Sequence, residues 1–466
     1  MTLLDSSVRF GQSTDHRHML DVTTAPDGRG LNDRFAEQLR RCHLAAQPSI
    51  TGAISRVIGL RFDVRGLDLP IGSTVEVLDP ATPLTGEVVA VGDGEVSCMP
   101  LGEVRGLRVG ARVRGSEQPA SVMVGTQLLG RVIDALGRPL DDLGPIRGLH
   151  EVSLHAEPPH PMKRTRIDTP MSLGVRAWDT VVPAGRGQRV GVFAGSGVGK
   201  STLLGMIARN TAADVNVVAL IGERGREVRE FVEADLGPEG MARSVLVVAT
   251  SDSPALVRFR AAFVATRIAE HFRDLGQNVM LMMDSLTRFC MAQREIGLSA
   301  GEPPTSRGYP PSVFSLLPRL LERAGTSDVG SITGLYTVLV DGDDHNEPIS
   351  DAARSILDGH VVLSRRLAHA NHYPAIDVLA SVSRVASAVT TREERSLSSE
   401  LRQLLAAEAE AKDLIEIGAY VPGTNRLVDR AVSLRDPVQS FLRQDVDDRC
   451  DAATSFRRLA EILGTR

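Results

Sequence analysis

The run Ala194-Gly-Ser-Gly-Val-Gly-Lys-Ser201 has the residue types that a phosphate-binding loop requires. Small side chains let backbone N–H groups converge on phosphate oxygens, and a helix that opens at the same point adds partial positive charge. Gly195, Gly197 and Gly199 meet that need, with Ser196 and Val198 between them. Lys200 is placed to reach the β- and γ-phosphates of a nucleoside triphosphate, Ser201 to offer its hydroxyl to Mg²⁺, and Thr202 to lie beside the α-phosphate. The pattern is one residue off the usual form, because Ala194 stands where the first glycine is expected and Gly195 follows it. Lysine is itself informative here. Of 53 basic side chains only Lys163, Lys200 and Lys412 are lysine, and a compact ammonium fits among phosphate oxygens better than a planar guanidinium.

Hydrolysis needs further groups around the loop. Asn278-Val-Met-Leu-Met-Met-Asp284 reads as an apolar strand ending in a carboxylate, the Walker B position that holds Mg²⁺ through its water shell. The bland alternative is an ordinary aspartate at a strand end. Asn216-Val-Val-Ala-Leu-Ile-Gly-Glu223 ends a second such strand, beside Arg224, where a carboxylate can orient the water that attacks the γ-phosphate. A surface glutamate is its alternative. Phosphoryl transfer also uses an arginine on the equatorial oxygens, worth roughly 10³ to 10⁵ in rate, but composition cannot select one in a chain this rich in arginine.

These groups must be carried by strands and helices. Val190 to Phe193 reads as a strand and Thr202 to Arg209 as the opening of a helix, so the loop sits between them. From Asp179 to about Val389, within a core domain placed at 118–390, strand-length apolar runs alternate with helical stretches, the pattern of βαβ units around a largely parallel sheet. Before it, short runs such as Ser73 to Leu78 and Gly86 to Ala90, broken by glycine turns, predict a small β-barrel or sandwich within 31–117. A short amphipathic helix is expected at its start, with Leu31, Phe35, Leu39 and Leu44 on one side; core packing and partner docking explain it equally well. Residues 1–30 lack apolar periodicity and read as a flexible tail. The segment 391–466 is helical: Thr391 and Glu394 have capping-box spacing, and Leu397, Leu401, Leu404 and Leu405 recur at helical intervals.

Composition narrows the class. The 466 residues are 42% hydrophobic and 24% charged, with a formal net charge of -5, ordinary values for a soluble globular chain of several domains. A dedicated nucleic-acid binder is disfavoured. No apolar run is long enough for a bilayer span and no secretory signal is visible, so a cytoplasmic protein is expected. Cys42, Cys98, Cys290 and Cys450 form no CxxC pair, and His16 with His18 reads as solvated sequence, so no transition metal is expected.

Taken together, Ala194 to Ser201, Ile221-Gly-Glu-Arg-Gly-Arg-Glu227, Met282-Met-Asp-Ser-Leu-Thr-Arg288 and Ser381-Val-Ser-Arg384 resemble the family of rotary ATP synthase catalytic subunits and type III secretion ATPases. The stretches Gly191 to Ser201 and Asp235-Leu-Gly-Pro-Glu-Gly-Met-Ala-Arg-Ser244 look like its flagellar export members. The resemblance implies an α/β fold: a RecA-like P-loop NTPase core with an N-terminal small β-barrel and a C-terminal helical domain, the order read above from the residues alone. It implies ATP and Mg²⁺ as ligands, Glu223 as catalytic carboxylate with Arg224 beside it, and Asp284 on the Mg²⁺ side. Arg384 is the implied arginine finger, entering the site of an adjacent subunit in a homohexameric ring. Tyr373 matches the position of a ring that stacks on adenine, with core packing as its alternative, and Tyr420 is a weaker candidate for the opposite face. Arg288 could brace either Glu223 or the γ-phosphate. The implied partners are a flagellar stator protein that regulates the enzyme, the export gate, and chaperone-cargo complexes, with peripheral association at the inner membrane face. The rival readings are an injectisome ATPase, a Rho-like RNA translocase and a noncatalytic nucleotide-binding scaffold.

Overall fold

The computed structural model describes residues 50–464 apart from 80–82, 93 and 341–346, together with Phe35, Gln38, Leu39 and Cys42. Those four are helical and belong to a separate unit formed by residues 1–50. The tail expected over 1–30, with His16 and His18, and the rest of the expected first helix, Leu31 and Leu44 included, lie outside the described residues.

Where barrel and sandwich were both open, the structure decides for a closed barrel. Its strands are β1 (Ile50–Ile58), β2 (Arg61–Arg65), β3 (Ser73–Val77), β4 (Leu84–Gly92), β5 (Glu95–Pro100) and β6 (Arg112–Pro119), in the order β1-β2-β5-β4-β3-β6. Period-two alternation fills it: Val75 and Val77 point into a core with Phe62, Val64, Val88, Val96 and Val113, while Glu76 faces out towards Arg114 at 3.4 Å. Closure leaves the strands no free edge.

The central domain is built on a nine-stranded sheet among the described residues. In chain order its main strands are β7 (Arg131–Asp134), β8 (Arg189–Ala194), β9 (Val215–Ile221), β10 (Ser244–Ala249), β11 (Asn278–Asp284), β12 (Ser331–Leu339), β13 (Gly359–Leu363) and β14 (Ile376–Ser383). Across the sheet they run β14-β13-β8-β12-β11-β9-β10-β7. All of these are parallel to their neighbours except β14, which pairs antiparallel with β13. Strand β9 is buried along its whole length, as a strand covered on both faces must be. Its alternate side chains serve different cores. Val217, Ala219 and Ile221 pack with Ala261, Ala265 and Ile268 of helix Ala255–Asp274, while Val218 and Leu220 pack with Leu203, Leu204 and Ile207 of α1 (Lys200–Asn210). The loops after β8, β9 and β11 therefore open at one edge of the sheet, where ligands of open α/β sheets bind.

The C-terminal helices follow. α2 (Arg392–Glu416) opens with a complete capping box, since Glu394 N–H donates to Thr391 Oγ1 at 3.2 Å and Thr391 N–H to Glu394 Oε2 at 2.7 Å. Leu401 and Leu404 then pack into the core that holds Trp178 and Val378. No described helix is long and apolar enough to cross a membrane.

One ion pair lies deep in the central domain. Arg323 Nε and Nη2 donate to the two carboxylate oxygens of Glu270 at 2.7 Å each, and both side chains are almost wholly buried. Arg323→Ala is expected to destabilise the domain by about 3–5 kcal/mol, the effect of stranding one charge of a buried pair. Trp178, the sole tryptophan and fully buried, reports unfolding by fluorescence; an unchanged urea midpoint would mean that Arg267, 3.2 Å from the same carboxylate, suffices.

Candidate active site

Gly199 caps α1 in a left-handed conformation, with φ 86°. A Cβ at that position would lie 3.3 Å from the ring of Tyr373, so only glycine lets the ring approach the loop while the backbone makes this turn. Val198 is buried in the core beneath, whereas Ser196 and Gly197 are exposed at the loop tip. Gly197, Gly199 and Thr202 line a cleft of about 720 Å³ with Leu203, Met206 and Tyr373. The fold thus brings the loop and Tyr373 together at one pocket.

Lys200 is the centre of the charged part. Its Nζ lies 3.2 Å from Glu223 Oε1 and also donates to Asp284 Oδ1. These carboxylates come from the ends of β9 and β11, which are adjacent in the sheet, with Leu220 opposite Asp284. Asp284 is buried and also accepts from Thr337 Oγ1 at 2.7 Å. Burial raises the Glu223 carboxyl to about 7, aided by the negative charge of Asp284 and opposed by Lys200. Burial works against the Lys200 charge as well, but Asp284 and Glu223 outweigh it and hold the ammonium above its ordinary value. Ser201 is exposed in the first helical turn.

Two arginines flank this cluster in different ways. Arg288 lays its stem against Gly222, where a Cβ would meet Arg288 Cβ and Cγ at 2.9 Å, and its Nε is buried without a partner. Arg224 is 71% exposed and reaches Glu227 at 3.6 Å, not Glu223.

Arg384 stands elsewhere. It follows Ser383, which pairs with Gly359 at the start of β13, while the loop leaves β8 after Ala194, opposite Leu363 at the end of β13. Four residues of strand separate the two ends, roughly 13 Å. Arg384 is exposed there and donates through Nη2 to Arg354 O at 3.1 Å. Tyr420 also lies apart, packed by Ala407, Ala411 and Val428, with its hydroxyl 2.9 Å from Asp429 Oδ1; it is not among the residues that line the cleft by the loop.

Sequence reasoning missed three contributors. Thr337 reaches Asp284 only because β12 and β11 are in register, with Tyr336 opposite Met283. Arg443 and Gln444 come from the connection between the C-terminal helices Arg435–Leu442 and Ala452–Leu463 to line the cleft. Gln444 N–H donates to Tyr373 O at 2.9 Å, and its side chain joins Arg176 N and Gly174 O at 2.8 Å each. No local pattern marks any of the three.

The site fits Mg²⁺ as it is bound with a nucleotide. The donors are a hydroxyl and a carboxylate, both hard oxygens, and among the described residues no cluster of three or more His, Cys, Asp or Glu forms a dedicated cage.

Comparison with known proteins agrees with this geometry. The nucleotide-binding domain of the ATP synthase alpha/beta family matches residues 174–383, its beta-barrel domain 54–116, and the T3SS EscN ATPase C-terminal domain 390–461. A flagellum-specific ATP synthase of Bacillus subtilis is 50% identical over 89% of this chain and 95% of its own. The chain belongs to the flagellum-specific and type III secretion ATPases of the ATP synthase alpha/beta family. A type 3 secretion system ATPase of Xanthomonas euvesicatoria is likewise 50% identical, over 85% of this chain and 90% of its own. Among solved structures, the assembled ATPase EscN of the enteropathogenic E. coli type III secretion system superposes with a TM-score of 0.85 at 46% identity, covering 88% of this chain and 100% of EscN. A family of ATPases accounts for the RecA-like core between a barrel and a helical domain, and the nucleotide-binding domain of this chain binds ATP.

The raised Glu223 carboxyl has a measurable consequence in the nucleotide-free protein. A group whose value rises on folding from 4.5 to about 7 contributes stability below pH 4.5 that is lost as pH climbs through 7. Glu223→Gln removes that dependence. The variant is expected to gain stability relative to the parent between about pH 5 and about pH 8, on the order of 1 kcal/mol. A melting-temperature offset that stays constant over this range would show that Glu223 does not titrate there.

Proposed function

We propose that the protein hydrolyses Mg-ATP at the subunit interfaces of a homohexameric ring and that this energises protein export through a flagellar type III apparatus. One observation carries the reading: Lys200, Glu223 and Asp284 converge beside the phosphate loop, while Arg384 lies at the other end of the sheet. On this reading a second copy completes the site. The assembled state named for EscN supports an oligomer.

On this reading the triphosphate takes Lys200 from its two carboxylates. The loop from Gly195 to Gly199, with Ser196 and Val198, wraps the phosphates, and Thr202 lies beside the α-phosphate. Glu223 then orients the attacking water and accepts its proton. Ser201 and Asp284 would hold Mg²⁺, which when bound neutralises charge on the β- and γ-phosphates. Arg224, exposed at the start of its helix, turns towards the γ-phosphate, and Tyr373 stacks on adenine. The neighbour's Arg384 stabilises the transferring phosphoryl group. The ring works in the cytoplasm against the membrane export gate, with a stator protein and chaperone-cargo complexes as partners and no nucleic acid.

Lys200→Ala is expected to lose ATP binding, and Glu223→Gln to keep it while turnover falls by about 100-fold or more. Both are read by equilibrium binding of a fluorescent ATP analogue and by phosphate release; normal affinity in the lysine variant would remove the loop assignment. Arg384→Ala should lower turnover by about 10³-fold. Mixed with Lys200→Ala it should regain part of that activity, because some interfaces then unite an intact loop with an intact arginine. Confirmed mixed rings without recovery would place the finger within one chain.

The equal identity to the Xanthomonas relative supports a second reading, an injectisome ATPase with the same chemistry and different cargo. Restored swimming in a bacterium lacking its own flagellar export ATPase decides for the first; failure there with restored injectisome secretion decides for the second.

A further inference from the structure

The segment that carries Arg384 is tied down by two arginines of α2. Arg402 donates through Nη1 to Val378 O at 2.8 Å and through Nη2 to Ser381 O at 2.9 Å and Val181 O at 3.0 Å. Val378 and Ser381 belong to β14, which ends one residue before Arg384. Arg395 donates through Nη1 to Ser387 O at 3.0 Å and Thr390 O at 2.6 Å, closing the turn that follows Arg384. Ser383 Oγ adds a bond to Pro183 O at 2.8 Å. The three arginines line one cavity of about 450 Å³, and no Asp or Glu is among its described lining residues.

This arrangement has a physical logic. Among the described residues β14 ends the sheet and pairs with one neighbour, so the strand that delivers Arg384 has half the ladder bonds of an inner strand. A guanidinium can bind carbonyls of two segments at once because its five donors spread in a plane, which an ammonium cannot reproduce in the same geometry. A finger acts by directed charge, and a displacement of about 1 Å in such a group can cost on the order of 100-fold in rate.

We propose that Arg402, assisted by Arg395, is a positioning residue for the Arg384 finger, so that the first C-terminal helix sets where the finger stands at the neighbouring site. This rests on the reading of Arg384 as a finger acting across the interface.

The test uses full-length Arg402→Ala, Arg402→Lys and Arg395→Ala, each alone and combined with Arg384→Ala. Arg402→Ala is expected to lower kcat by about tenfold or more, with KM for ATP, binding of a fluorescent ATP analogue and native ring mass within about twofold of the parent. Arg402→Lys should fall between the two. The double variant with Arg384→Ala should turn over no more slowly than Arg384→Ala alone, because both changes disable the same group. If Arg384→Ala leaves turnover intact, the finger reading fails and the positioning role with it. If Arg384→Ala slows turnover but Arg402→Ala does not, or the two losses multiply, the positioning role is overturned and the finger stands. Should Arg402→Ala fail to fold, the same measurements on Arg395→Ala, whose side chain is exposed, decide in the same way.

Discussion

Lys200 remains charged inside the protein because Glu223 and Asp284 surround it, and these carboxylates can reach it only from strands that end at the same edge of the sheet. That constraint accounts for much else. Parallel strands are needed so that the loop after β8 and the ends of β9 and β11 open together, and parallel strands need helices on both faces. The apolar, doubly buried character of β9 and β11 follows. Burial, with Asp284 close by, also leaves Glu223 with a raised affinity for protons, which a bystander carboxylate at the surface would not show.

The same sheet separates Arg384 from the phosphate loop. β14 turns back antiparallel beside β13 and carries Arg384 away from the chain's own loop. An arginine at that end of the strands stands away from the loop of its own chain.

Cation choice follows the task at each position. Lys200 stands where a small, rotatable charge must exchange carboxylates for phosphates. Lys412 forms only a surface pair with Glu416 at 3.6 Å, so rarity alone did not make every lysine a functional one. The arginines do the reverse work of fixing carbonyl oxygens between segments: Arg243 binds four, those of Thr211, Ala213, Ala208 and Arg209, and Arg176 joins the central domain to Phe441 and Arg443. Arg402 belongs to this group, binding the carbonyls of Val378, Ser381 and Val181.

What the residues determined by themselves was local. The glycines and lysine of the loop, the apolar strands ending in Glu223 and Asp284, and the Thr391–Glu394 capping box all depend on neighbours a few positions away, and each formed where its spacing said. The barrel strands were equally legible, but not their closure, because a strand's alternation says which face is buried and not which strand lies beside it. Tertiary arrangement decided the rest: strand order set Thr337 against Asp284 and parted Arg384 from Lys200, and the packing of the C-terminal helices brought Gln444 back to Tyr373. Those relations join residues tens to hundreds of positions apart, and they are fixed by how whole faces pack, an energy that no short stretch of sequence contains.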